Sequence, residues 1–198
     1  MMPAAATLAL LALLQAAGGM TIPPPSPEML PGDHGPLPLA MMLAPPHGGP
    51  PPPSSGPVAA PSPEAAIAAA RTALASCEAR HVLLGVAVTD ARGNLVAALT
   101  AAHAGPGHVF VAARKATAAA AYREPTSDVQ TRLRHQDPAA LAMLKPYMAV
   151  SPGAVPIMVS GKLIGAIGAS GGSGIDDETC AAAGAIAAQR LSAGGSSQ

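Results

Sequence analysis

The chain has 198 residues, almost half of them apolar, and its 11 basic side chains are balanced by 11 acidic ones. That length holds one ordinary folded domain. With no Trp, one Phe and two Tyr there are no platforms on which bases could stack, and without a net positive field there is nothing to hold a polyanion, so nucleic acid is excluded as a partner.

The first segment, residues 1–19 (MMPAAATLALLALLQAAGG), has an apolar core from Leu8 to Leu14 and ends in small residues suited to cleavage near Gly18. It reads as a signal peptide and is too short for a comfortable bilayer span, which leaves no transmembrane segment in the mature protein. The first basic residue is Arg71, so only the α-amino group supplies the positive start; plain low-complexity sequence is the competing reading. Export would place the protein in the periplasm or outside the cell. Residues 20–61 hold most of the prolines, with Pro50-Pro51-Pro52-Pro53 at the centre. A proline-dense backbone has few amide donors and little regularly spaced apolar surface, so this stretch is expected to be a disordered linker.

The folded domain is expected over 62–193, followed by a flexible Gly/Ser tail at 194–198. Ser62-Pro63-Glu64 opens a helix with a capping hydroxyl, a proline suited to the first turn and an acid at the positive end of the dipole. That helix should run to about Arg80, with a core stripe of Ile67, Ala70, Leu74 and Cys77. Val82 to Val88 reads as a buried strand, and Asp90-Ala91-Arg92-Gly93-Asn94 turns it into a second strand at Leu95 to Leu99. The loop Ala101-Ala102-His103-Ala104-Gly105-Pro106-Gly107-His108 leads to a helix from about Val109 to Tyr122, which Pro125 ends. Short helices around Asp128–Arg134 and Pro138–Leu144 precede a hairpin, Pro156–Ser160 and Leu163–Ala169, and a last helix from Asp176 or Asp177 to about Leu191. Paired strands with short connections, alternating with helices, make an α+β domain with an antiparallel sheet.

The run Gly165 to Gly174 (GAIGASGGSG) admits three readings. As a nucleophile elbow around Ser170 it needs a base later in the chain, and no histidine follows it. As a phosphate cradle it would face Asp176-Asp177-Glu178, which repel an anion and read instead as caps. The third reading remains: glycines that let strand and helix approach closely and turn sharply. Cys77 and Cys180 form no metal-binding spacing. They are either small core residues or, in an exported protein, a disulfide.

The ordered set Val86 to Val96 (VAVTDARGNLV), Arg114-Lys115-Ala116, Pro125-Thr126, Pro152 to Val159 (PGAVPIMV) and Gly165 to Gly171 (GAIGASG), ending in Asp177-Glu178 and an alanine-rich helix, resembles the GlcG/HbpS family of haem-binding proteins over about residues 64–191. The resemblance implies a profilin-like antiparallel sheet flanked by helices, homo-oligomers from dimer to octamer, and binding of haem or a related tetrapyrrole. Exported members act as haem carriers or sensor partners, and this chain is expected to bind haem without turning over a substrate. Some relatives sit beside glycolate metabolism, so an enzyme of a small 2-hydroxy acid is one alternative, and a structural or signalling interaction module is the other. The chain departs from the family at Thr100 to Ala104, where members carry an Arg-Met-Asp-Gly-Ala type stretch. It also places Thr117 one residue before the family's threonine, a rotation of about 100° around a helix.

Haem needs an apolar slot, basic groups for its propionates and an axial ligand. His103 and His108 bracket the glycine-proline loop and are the axial, iron-binding candidates; ordinary loop histidines are the alternative. A metal site built on these two alone would be incomplete. Arg114 and Lys115 are candidates to meet the propionates, Lys115 and Thr117 being the positions the resemblance points to. His81 and His135 read as structural or solvated.

Overall fold

The structure, a computed structural model, describes residues 56–194. The expected signal peptide, residues 20–55 of the expected linker and residues 195–198 of the expected tail lie outside the described residues. The elements are α1 (Pro63–Glu78), β1 (Gly85–Asp90), β2 (Leu95–Thr100), α2 (His108–Tyr122), α3 (Thr126–Arg134), α4 (Pro138–Met143), β3 (Ala154–Val159), β4 (Lys162–Ser170) and α5 (Gly174–Gly194). The strands form one antiparallel sheet in the order β2-β1-β4-β3. This is the α+β architecture that the alternation of hairpins and helices predicts.

Helices cover both faces of the sheet. α1 and α5 pair on one side, where Val86, Val88, Ile157, Ile167 and Ala169 meet Ala66, Ala69, Ala73, Ala181 and Ala185. α2 lies on the other, its Ala116, Ala119 and Ala120 against Ala154 and Ala166. The central strand β1 is therefore buried along its whole length, and its first four residues, Gly85 to Val88, are apolar without alternation.

Small residues set the distance between layers. A Cβ added to Gly168 would come within 2.2 Å of the Ala112 carbonyl oxygen, and one added to Gly85 within 2.2 Å of the Val109 amide nitrogen. The glycines of the run at 165–174 thus serve close approach and turning, as the elimination of the other readings implied, and Ser170 is simply the last residue of β4.

α1 starts as expected, with the Ser62 hydroxyl accepting from the Ala65 amide and Pro63 in the first turn. Its buried face differs from the expected stripe: Ala66, Ala69, Ala70, Ala73 and Cys77 are fully buried while Ile67 is 42% exposed. The reason lies in α5, where Gly184 approaches so closely that a Cβ there would meet the Ala69 carbonyl oxygen at 2.6 Å. Only alanine-sized side chains fit such an interface, and an isoleucine is turned out of it. The same interface decides between the two cysteine readings: Cys77 and Cys180 are joined in a disulfide between α1 and α5, with their Cα atoms 5.7 Å apart.

The Asp90 turn is as predicted, its carboxylate accepting from the Arg92 and Asn94 amides and from the Asn94 side chain. The last helix begins earlier than expected. Ser173 caps α5 by accepting from the Asp176 amide and donating to the Asp176 carboxylate, a reciprocal arrangement that leaves Asp177 and Glu178 for other partners.

Candidate functional site

Three connections gather at one end of the sheet: the α1–β1 loop, the β2–α2 loop and the turn Gly171-Gly172-Ser173 between β4 and α5. The β2–α2 loop is tied down by the Ala101 amide, which donates to the Leu84 carbonyl at 2.8 Å. It brings His108 to the first position of α2. The imidazole lies between two glycines: a Cβ at Gly105 would approach its Nε2 to 2.8 Å, and a Cβ at Gly171 would approach its Nδ1 to 2.8 Å. Gly171 has φ 144°, a conformation closed to most side chains, so both the space and the backbone favour glycine there.

The His108 Nδ1 is buried with no hydrogen-bond partner among the described residues. A neutral imidazole carries one donor and one acceptor nitrogen, and leaving either unsatisfied in the interior costs about 1–3 kcal/mol. An orphan of this kind in a glycine-walled position calls for a function. His103 is exposed and sits in left-handed backbone with φ 66°. Among the described residues there is no cluster of three or more His, Cys, Asp or Glu that could hold a metal ion.

The basic candidates are engaged elsewhere. Lys115 is 3% exposed, and its ammonium donates to the Asp177 carboxylate at 3.0 Å and to the Ala169 carbonyl at 3.2 Å. The Arg114 guanidinium donates to the carbonyls of Pro146 at 2.6 Å and Tyr147 at 3.2 Å, holding the segment after α4 against α2. The Thr117 hydroxyl donates to the Gly93 carbonyl at 3.1 Å and so fastens α2 to the β1–β2 turn. Of the five residues singled out in the sequence, the structure places His108 alone against the glycine turn and gives the other side chains on α2 partners within the protein.

Sequence reasoning missed a polar network around the start of α5. Asp177 is 2% exposed; one carboxylate oxygen meets Lys115 and the other accepts from the Gly172 amide at 2.8 Å. Glu178 accepts from the amides of Ser127 and Gly153, both at 3.1 Å, and from the hydroxyls of Ser127 and Thr126. Beside it a cleft of about 430 Å³ is lined by Ser127, Pro152, Val155, Ile175, Glu178, Thr179 and Ala182. None of the sequence candidates lines that cleft.

Residues 62–186 match the family described as "Haem degrading protein HbpS-like". Among solved structures, HbpS is 34% identical with a TM-score of 0.61, over 67% of this chain and 93% of that one. A double mutant of Streptomyces reticuli HbpS is 32% identical with a TM-score of 0.61, over 72% of this chain and 97% of that one. PduOC, solved as a complex with haem, shares the fold at 24% identity and a TM-score of 0.57, over 65% of this chain and 94% of that one. No curated protein matches the chain. The match over nearly the whole folded part and the 34% identity to HbpS show that the chain belongs to the HbpS-like family.

Proposed function

We propose that this protein binds haem, with His108 as the iron ligand, and that it works outside the cytoplasm as a carrier or sensor partner. The observation that carries the reading is the His108 imidazole, held between Gly105 and Gly171 with a buried nitrogen that has no partner among the described residues. Glycine on two sides puts no side chain beside the ring, and an imidazole would supply the nitrogen that haem iron takes. Family membership and the haem complex of PduOC support the same ligand class. When bound, haem would supply the iron chemistry; the protein's part is to present the imidazole and exclude water around it.

Lys115 and Arg114 already have partners, so the propionates would be met by solvent or by groups outside α2. Export is supported by the Cys77–Cys180 disulfide, since such bonds persist in oxidising compartments. Self-assembly is supported by Phe110 and Tyr147, which are 72% and 60% exposed. Large aromatic side chains left in water are more stable when covered.

The test is a haemin titration of the full chain, followed in the Soret band and repeated on His108→Ala and His103→Ala. Saturable binding that weakens at least about tenfold in His108→Ala and is unchanged in His103→Ala is the expected result, in line with the loss of a direct ligand. Unsaturable adsorption, the same in all three proteins, would remove haem as the ligand. Light scattering on the same samples reads the oligomeric state.

A further inference from the structure

We propose that the buried pair Lys115–Asp177 is a positioning device for His108: it holds the glycine turn that walls the imidazole and does not itself contact the ligand. The proposal rests on the reading of His108 as the haem ligand and says what keeps that ligand in place.

The turn Gly171-Gly172-Ser173 begins with two residues that have no side chain with which to anchor themselves. Its hold comes from outside. The Gly172 amide donates to one oxygen of Asp177 at 2.8 Å, and the other oxygen is fixed by the Lys115 ammonium at 3.0 Å. Lys115 in turn donates to the carbonyl of Ala169, at the end of β4, so the strand, the turn and α5 are tied to one nitrogen. Two helical turns earlier on the same helix stands His108, whose Nδ1 faces Gly171. α2 therefore touches the turn at both ends, directly through His108 and through Asp177 at Lys115.

Space at the clamp is as restricted as at the histidine. A Cβ on Gly153 would come within 2.5 Å of the Lys115 nitrogen, so the backbone just before β3 closes over the pair. Burying two charges in this way is often no more stabilising than an apolar pair of equal volume, because the attraction only offsets the loss of hydration. What an ion pair with two further hydrogen bonds supplies, and an apolar pair does not, is a fixed direction for the Gly172 amide. A ligand group must be held by its supporting residues to about half an ångström to work.

The test compares the full chain with the Lys115→Met/Asp177→Leu double variant, checked for folding by circular dichroism. Two readouts are needed: the ring-nitrogen NMR shifts of His108 in the ligand-free protein, and haemin affinity with its Soret position. The proposal expects the His108 signals to move or broaden in the variant, and haemin affinity to fall about tenfold, as for loss of a residue behind a metal ligand. If the parent binds haemin through His108 and the folded variant matches it in both readouts, the positioning role is wrong while the haem reading stands. If the parent does not bind haemin yet the variant shifts the His108 signals, the haem reading fails and the clamp stands. Should the double variant not fold, the milder Asp177→Asn is read in the same two ways, with a smaller change expected and unchanged signals overturning the proposal.

Discussion

Glu178 on α5 caps the N-terminus of α3 across the structure: its carboxylate accepts from the Ser127 amide at 3.1 Å and from the Ser127 hydroxyl. The residue at α3's own cap position is Pro125, which has no side-chain acceptor to offer. The same carboxylate accepts from the Gly153 amide, so one side chain ties together α5, α3 and the approach to β3. Removing it leaves two backbone donors without a partner. Glu178→Ala is expected to cost about 2 kcal/mol, from the usual worth of a cap and the penalty for an unpaired amide. Glu178→Gln, which keeps an acceptor oxygen, should cost less than half of that. Urea denaturation of the two variants beside the parent checks the order; equal stabilities would mean that water replaces the cap without loss.

The disulfide makes a second prediction. Cys77 and Cys180 are separated by 103 residues, so the bond removes a large share of the unfolded chain's freedom. The chain-entropy estimate for a loop of that length is about 4–5 kcal/mol, and measured losses for native bridges are about 2–5 kcal/mol. The Cys77→Ala/Cys180→Ala variant should unfold at correspondingly lower denaturant, and the parent should fall to a similar midpoint in reductant. A parent indifferent to reductant would show that α1 and α5 are held by their alanine interface alone.

Local chemistry was legible in the sequence because it is local. Ser62-Pro63-Glu64 starts α1, Asp90 folds the turn to Asn94, and Pro125 stops α2, each through contacts within a few residues. Lys115 was half legible. It lies on the face of α2 that carries Ala112, Ala116 and Ala119, so its burial could have been read from the helical period. Burial alone demands an acidic partner, but Asp177 is 62 residues away and had a local role, as a cap, that satisfied it on paper. Ser173 took that role instead. The same distance problem hides Glu178 from Ser127 and Cys180 from Cys77. For the site, the sequence put His108 in a loop with a glycine before it; that Gly171 forms the other wall depends on the register of β4 against β1.

The spacing between α2 and the sheet yields a third prediction. A Cβ at Gly168 would stand 2.2 Å from the Ala112 carbonyl oxygen and 2.9 Å from the Ala116 amide nitrogen, both of them backbone. Neither can swing aside as a side chain would, so Gly168→Ala must push the helix off the sheet. Overpacking of this kind costs about 1–3 kcal/mol or more. Because α2 carries His108, the displacement should also lower haemin affinity. A variant of parental stability would show that the helix can slide along the sheet at no cost.

The acid limb of the stability curve tests the surface network behind α3. The Arg132 guanidinium donates to the carboxylates of Asp137 at 2.7 Å and Glu124. The hydrogen bond from Arg132, followed by those from the Ala139 and Ala140 amides, holds the Asp137 carboxyl below its ordinary value of 3.8. A carboxyl depressed in the folded state binds its proton less readily than in the unfolded chain. Its contribution is therefore complete above the unfolded pKa, near pH 4, and is lost as the pH falls through the lower, folded value. Asp137→Asn removes that proton linkage while keeping an oxygen for the α4 cap. Its stability should run parallel to the parent's above about pH 5 and decline less steeply below pH 4. The group is half-buried and still reached by solvent, so added salt should narrow the difference between the two curves. Denaturation midpoints from pH 2 to 7 at low and high salt read both effects, and identical acid slopes in parent and variant would show that Arg132 spends its time in water.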